Sequence, residues 1–185
     1  MTAVTEGRLI FNFDERWSVV KFDAEAGFAS RIDIPSTKKV DIVAECQTIL
    51  LLIEIKDFRG HEANNTHRFA RRGDDPLPVE LAQKVRDTVS MLLAAQRSQD
   101  RDLKRAYDHL FDRAVKPVEV VLFLERDKVR NRKITGYVST QNIKGWMTSR
   151  LRPYKFSCTV QHLEAAAERR HEGWTVANVS RVDAR

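Results

Sequence analysis

Two apolar runs stand nearly back to back along the chain. Val40-Asp41-Ile42-Val43-Ala44 is followed, after Glu45-Cys46-Gln47-Thr48, by Ile49-Leu50-Leu51-Leu52-Ile53. So short a break between two such runs predicts a β-hairpin, and a second strand that is apolar at consecutive positions predicts burial on both of its faces. That strand then reads Glu54-Ile55-Lys56-Asp57. Charges at the end of a buried strand are costly unless they are partnered or used. Glu54 and Lys56 are two residues apart, so they project from one face. With the turn centred on Gln47-Thr48, facing residues have numbers that sum to 95, which sets Asp41 opposite Glu54. Directly opposed side chains have Cβ atoms roughly 4.5–5.5 Å apart.

Further along, the period changes. Asp74-Asp75-Pro76-Leu77-Pro78 carries a helix-start signal, with an acid at the cap and proline in the first turn. Leu81, Val85, Val89 and Leu92 then mark one face of a helix that runs to about Gln96. Asp102–Arg113 reads as a second, more exposed helix, with Leu103, Tyr107 and Leu110 turned inward. Lys116-Pro117 breaks it, and Val118–Glu125 is the next buried strand. A helical segment between strands implies a crossover, hence an α/β fold with a mixed sheet. Gln141–Leu151 is helical by its four-residue apolar spacing, Phe156–Val160 is a strand, His162–Arg170 a short helix, and Trp174–Val179 a last strand. Near the start, Arg8–Phe13 reads as a strand.

Composition narrows the classes. With 42% of residues hydrophobic and 31% charged, disorder is not indicated. A chain of 185 residues suggests one domain. The longest apolar run is far too short to cross a bilayer, and no basic-then-apolar leader opens the sequence. Cys46 and Cys158 make no CxxC, which fits free thiols in a reducing cytoplasm. The net charge of +6 is uneven: Arg126–Lys155 holds nine basic residues against Asp127, a local +8. Such a stretch fits either a polyanionic partner or a solvated basic loop. The five histidines form no HExxH, and there is no GxxxxGK[ST], GxGxxG or GxSxG. Nucleotide hydrolysis and dinucleotide binding are therefore without support.

The chemistry suggested by the hairpin is more specific. Two facing carboxylates repel unless a cation lies between them. An ammonium two residues on completes a set suited to metal-assisted attack of water on a phosphodiester, with Asp41 and Glu54 on the metal and Lys56 beside the water. Four arginines follow the strand closely, Arg59, Arg68, Arg71 and Arg72, where they could hold phosphates; Arg130, Arg132 and Lys133 head the basic stretch.

Asp41, a dozen residues, then Glu54-x-Lys56 across a hairpin resembles the PD-(D/E)xK nuclease superfamily, over about residues 35–95. Val40 stands where the proline of the family's name would be. The resemblance implies a restriction-endonuclease-like αβββαβ core, a mixed central sheet flanked by helices, with additional C-terminal helix and strand elements. It thus places a helix within 14–28 and a short strand near Ala29–Ile34. It implies a Mg²⁺- or Mn²⁺-dependent phosphodiester hydrolase acting on nucleic acid, DNA before RNA, as a homodimer or a subunit of a defence or repair assembly. The backbone carbonyl of Ile55 becomes a further metal ligand, Asp23 or Glu25 an extra acid from the first helix, and Gln83 or Lys84 a helix residue that points into the site. Two other readings stay open: a catalytically inactive relative that binds nucleic acid, and a buried ion-pair network in an unrelated α/β protein.

Overall fold

A computed structural model of the chain describes residues 1–24, 27–32, 36–127, 138–168 and 173–179. Within them are strands β1 (Thr2–Glu6), β2 (Leu9–Phe13), β3 (Ser18–Lys21), β4 (Ile42–Cys46), β5 (Ile49–Asp57), β6 (Val118–Glu125), β7 (Ser157–Gln161) and β8 (Trp174–Asn178). The α-helices are α1 (Glu62–Asn65), α2 (Leu77–Ser98), α3 (Lys104–Leu110), α4 (Thr140–Leu151) and α5 (Leu163–Glu168). The fold is α/β, with a mixed five-stranded sheet in the order β3-β4-β5-β6-β7. β4 runs antiparallel to both of its neighbours, β3 and β5, while β5, β6 and β7 are parallel. Each parallel step is made through helices, α2 and α3 before β6 and α4 before β7.

The β4–β5 hairpin keeps the expected register: Ile42 faces Ile53, Val43 faces Leu52 and Cys46 faces Ile49. Parity then divides the central sheet. Val43, Leu50, Leu52, Val120 and Leu122 pack beneath α2, α3 and α4. Ile42, Ala44, Leu51, Ile53, Val121 and Phe123 face the other way. Apolar side chains at consecutive positions serve both cores, as β5 and β6, buried between two layers, require.

The second layer is built mainly on strands. β1, β2 and β8 form a small antiparallel sheet whose aromatic side chains cover the far face. Leu9, Phe11 and Phe13 alternate inward with no exposure. Trp174 stacks near both rings, at 6.5 Å from Phe11 and 6.1 Å from Phe13. Burying each such ring contributes about 1.5–3 kcal/mol. Gly173 leads into β8 with φ 83°, a backbone that L side chains rarely adopt, and its carbonyl accepts from the Asp14 amide at 2.9 Å.

Three expectations are corrected. No helix forms within the described part of 14–28: Ser18–Lys21 is strand β3, paired with β4. Val19 and Val20 are β-branched and gain a ladder partner there, which outweighs any helical spacing. Ala29–Ile34 is not a strand; Phe28–Arg31 makes one 3₁₀ turn, and residues 33 and 34 lie outside the described set. Neither Asp74 nor Asp75 caps α2, whose N-cap is Pro76 with Pro78 in its first turn.

Candidate metal and phosphate site

The site lies at the C-terminal end of β5, beside the parallel strand β6, where open α/β sheets commonly bind ligands. Asp41 immediately precedes β4. Its Oδ2 accepts a hydrogen bond from the Ile55 amide at 2.6 Å, which aims the carboxylate along the sheet face that carries Glu54. Glu54 is fully buried, and its neighbour on that face, Lys56, is partly so.

A helix completes the constellation. Glu80 and Lys84 are four apart on α2, so they share a face one turn apart. Lys84 Nζ lies 2.7 Å and 2.8 Å from the two Glu54 carboxylate oxygens and 3.5 Å from Asp41 Oδ1. Lys56 Nζ lies 2.9 Å from Glu54 Oε1 and 3.1 Å from Glu80 Oε1. Arg68, in the 3₁₀ turn Thr66–Phe69, pairs with the other Glu80 oxygen and with Asp75. Phe58 and Phe69 hold that loop down, both buried and edge-to-face at 5.4 Å. Three carboxylates and three cations thus interlock in a chain from Asp41 to Arg68.

The charges are unequal in their comfort. Burial, then the nearby Glu54 charge, pushes the Asp41 carboxyl up to about 7; Lys84 and the Ile55 amide only partly offset this. Burial also raises Glu54, against the pull of Lys56 and Lys84. Burial alone would lower Lys56, but Glu54 and Glu80 outweigh it and hold the ammonium above its ordinary value. Burial alone would raise Glu80, but Lys56 and Arg68 overcome it and hold that carboxyl below the usual carboxylate range.

Asp41 and Glu54 suit a hard divalent cation by donor type. One observation supports that fit. Glu54 Oε1 is buried and accepts no hydrogen bond of acceptable geometry, although two ammonium nitrogens lie within ion-pair distance. Asp23 also has a buried Oδ1 without a hydrogen-bond partner, and its charge adds to the upward push on Asp41. Among the described residues, no group of three or more His, Cys, Asp or Glu side chains is arranged to hold a metal.

The other expected residues divide. Of the helix pair, Lys84 enters the site; Gln83 is half-buried and, among the described residues, forms no hydrogen bond with Asp41, Glu54 or Lys56. Arg59 is committed elsewhere: it donates to Asp57 at 2.8 Å and 2.6 Å and to Asn178 at 2.7 Å, tying β5 to the small sheet. Arg71 and Arg72 are exposed. Arg130, Arg132, Lys133 and Glu25 lie outside the described residues. Glu80 escaped the reading of the sequence; its signal is the i−4 spacing to Lys84 on a helix opened by prolines. A separate cavity of about 920 Å³ lies at the opposite, hairpin-turn end of the sheet, lined by Arg16, Cys46, Arg105 and Pro117 among others, and none of the site's acids borders it.

Comparison with known proteins leaves the family open. No protein-family model matches the chain, and no solved structure matches it. Among curated proteins, the chain is 28% identical over 159 residues to a cysteine–tRNA ligase of Neisseria meningitidis, an alignment that covers 71% of this chain and 22% of the ligase. The chain thus spans about a fifth of the length of that relative.

Proposed function

We propose that the protein is a divalent-metal-dependent nuclease of the PD-(D/E)xK kind, hydrolysing phosphodiester bonds in nucleic acid, DNA before RNA. The observation that carries the reading is the convergence of Asp41, Glu54 and Lys56 at one strand end, with a cation, the Lys84 ammonium, already bridging the two acids. The order of the meander β3-β4-β5, the helix α2 and the parallel strand β6 supports the reading, although among the described residues no helix precedes β3 and the 3₁₀ turn Phe28–Arg31 falls between β3 and β4.

In this reading Asp41 and Glu54 would hold a Mg²⁺ or Mn²⁺ ion, with the Ile55 carbonyl as an additional donor. A bound divalent ion supplies Lewis-acid polarisation of a phosphoryl oxygen and an acidified water. Lys56 is held protonated by Glu54 and Glu80, so its part is to stabilise negative charge that develops on the phosphate rather than to remove a proton. Glu80 positions Lys56. Arg68 sits beside them to donate to a phosphate. Lys84 neutralises the two acids as they stand, and would have to give them up to an ion held there.

The test is direct. Linear and circular DNA, single-stranded DNA and RNA are incubated with the protein in Mg²⁺, Mn²⁺ or EDTA. Cleavage is expected with metal, and Asp41→Ala, Glu54→Gln and Lys56→Ala are expected to lower it by at least about 100-fold, the usual scale for losing a charge-stabilising group. Divalent metal is also expected to raise the melting temperature of the wild type and not of Asp41→Ala. Absence of cleavage by the wild type on every substrate would overturn the proposal.

A second reading is favoured by the ion-pair geometry itself. Lys84 and Lys56 neutralise Asp41 and Glu54 without a metal, as a non-catalytic nucleic-acid-binding relative would require. The partial likeness to a cysteine–tRNA ligase, named for an RNA substrate, keeps RNA in the test. Metal-independent binding without cutting selects this reading.

A further inference from the structure

Beyond the acid site lies a second positive surface, built from two parts of the chain. Arg150, near the end of α4, donates to the Arg71 carbonyl at 2.8 Å and so binds α4 to the loop that carries Arg68. Burial, then Arg71 and Arg72, pulls the Arg150 guanidinium below its ordinary value, so these three side chains crowd their charges together. Like charges gathered on a surface lower their energy by sharing an anion. Of the acids that follow in the same loop, Asp75 is drawn to Arg68.

Just past Arg150 the chain turns outward. The 3₁₀ segment Arg152–Tyr154 is followed by Lys155 in the left-handed region, φ 57°. That turn sets the Tyr154 and Phe156 rings against one another, with centroids 5.4 Å apart and planes 29° apart. Phe156 is half-buried against the core, while Tyr154 stands 36% exposed. From Ser139 to Val160 there is no acidic residue, and Lys144, Arg150, Arg152 and Lys155 are basic. An exposed aromatic ring, backed by a second ring in a segment whose charges are all basic, has the make-up that takes an unpaired base on its face and the adjoining phosphates on its flanks. In a duplex the base faces are covered by stacking, so an aromatic platform of this kind discriminates in favour of single strands.

We propose that Tyr154, backed by Phe156, together with Arg71, Arg72, Arg150 and Lys155, is a docking surface for single-stranded nucleic acid. It deepens the nucleic-acid reading above and rests on it, though not on cutting. Arg71 is three residues from Arg68, so at most about 11 Å of backbone separates this surface from the residue placed on the reacting phosphate.

Fluorescence anisotropy of labelled oligo-dT and oligo-rU, and of a duplex of equal length, in EDTA tests this without any turnover. The wild type is expected to bind the single strands more tightly than the duplex. Tyr154→Ala weakens single-strand binding by about tenfold, and Tyr154→Phe, which keeps the ring, restores it. Arg150→Ala or the pair Arg71→Ala/Arg72→Ala reduces the slope of log affinity against log salt by about one per arginine removed. Circular dichroism checks that each variant is folded. Equal affinity for duplex and single strand, or single-strand binding indifferent to Tyr154→Ala in a folded variant, overturns the proposal. Ring-dependent binding by a protein that cuts nothing would defeat the nuclease reading and leave this one standing. Metal-dependent cutting unaffected by the absence of the ring, with binding equally unaffected, would do the reverse.

Discussion

The Asp41 carboxyl is an unsettled charge, raised by burial and by the neighbouring Glu54. Its folded-state value, about 7, lies above the ordinary 3.8, so between those pH values the folded chain holds a proton that the unfolded chain has lost. Stability therefore falls as pH rises through that window, and the full cost is present above about pH 7. A tenfold change in proton affinity is worth about 1.4 kcal/mol. Asp41→Asn keeps the carbonyl that accepts from Ile55 and removes the charge. In metal-free buffer it is expected to match the wild type near pH 4 and to exceed it by about 1–3 kcal/mol at pH 8 in denaturant unfolding. A variant no more stable than the wild type at pH 8 would contradict this account. The residues that set up the pair are legible in the sequence because a strand has period two: one register places Asp41, Glu54 and Lys56 together. The helix partner is not, since adjacent positions on a helix are turned by roughly 100° and the register of α2 against the sheet is fixed only by packing. Gln83 and Lys84 are for that reason indistinguishable from sequence, and Glu80 goes unseen.

Among elements, the loops at the end of β5 are tied by Asp57, which accepts from both Arg8 and Arg59. Burial alone would raise the Asp57 carboxyl, but Arg59 and Arg8 hold it down at about 2. This is the opposite sign from Asp41. The contribution is present above the unfolded value of 3.8 and is lost as pH falls from there through about 2. Because Arg8 is exposed and the pair is screened, its worth is on the order of 1 kcal/mol. Arg59→Ala is expected to lower stability by about that amount at pH 7 and by little at pH 2, read by urea unfolding, with metal-dependent cleavage retained. Loss of cleavage in a folded Arg59→Ala protein would return Arg59 to the substrate surface. Its commitment to Asp57 and Asn178 is invisible in sequence because the tie to Asn178 depends on how β8 is placed. The strand β3 is illegible for a related reason: a four-residue strand at a sheet edge has too few positions for alternation to declare itself, and its partner β4 decides the matter.

At the scale of the molecule, the helical layer and the central sheet follow from long periodic runs, which carry their own identity wherever they pack. The small sheet does not, because its order, β1-β2-β8, joins segments from far apart in the chain, and no local pattern announces such a pairing. Phe11 faces Val176 and Phe13 faces Trp174 across that seam. During synthesis, then, the aromatic hairpin of β1 and β2 is made before the central sheet and must wait for its cover until β4 to β7 have all followed it. Removal of residues 173–179 is expected to leave Phe11, Phe13 and Trp17 bare, seen as dye binding to apolar surface and self-association on size exclusion, while the helix content persists. A chaperone that shields that hairpin in the interval would find in it a short, ring-rich stretch of the sort such helpers grasp.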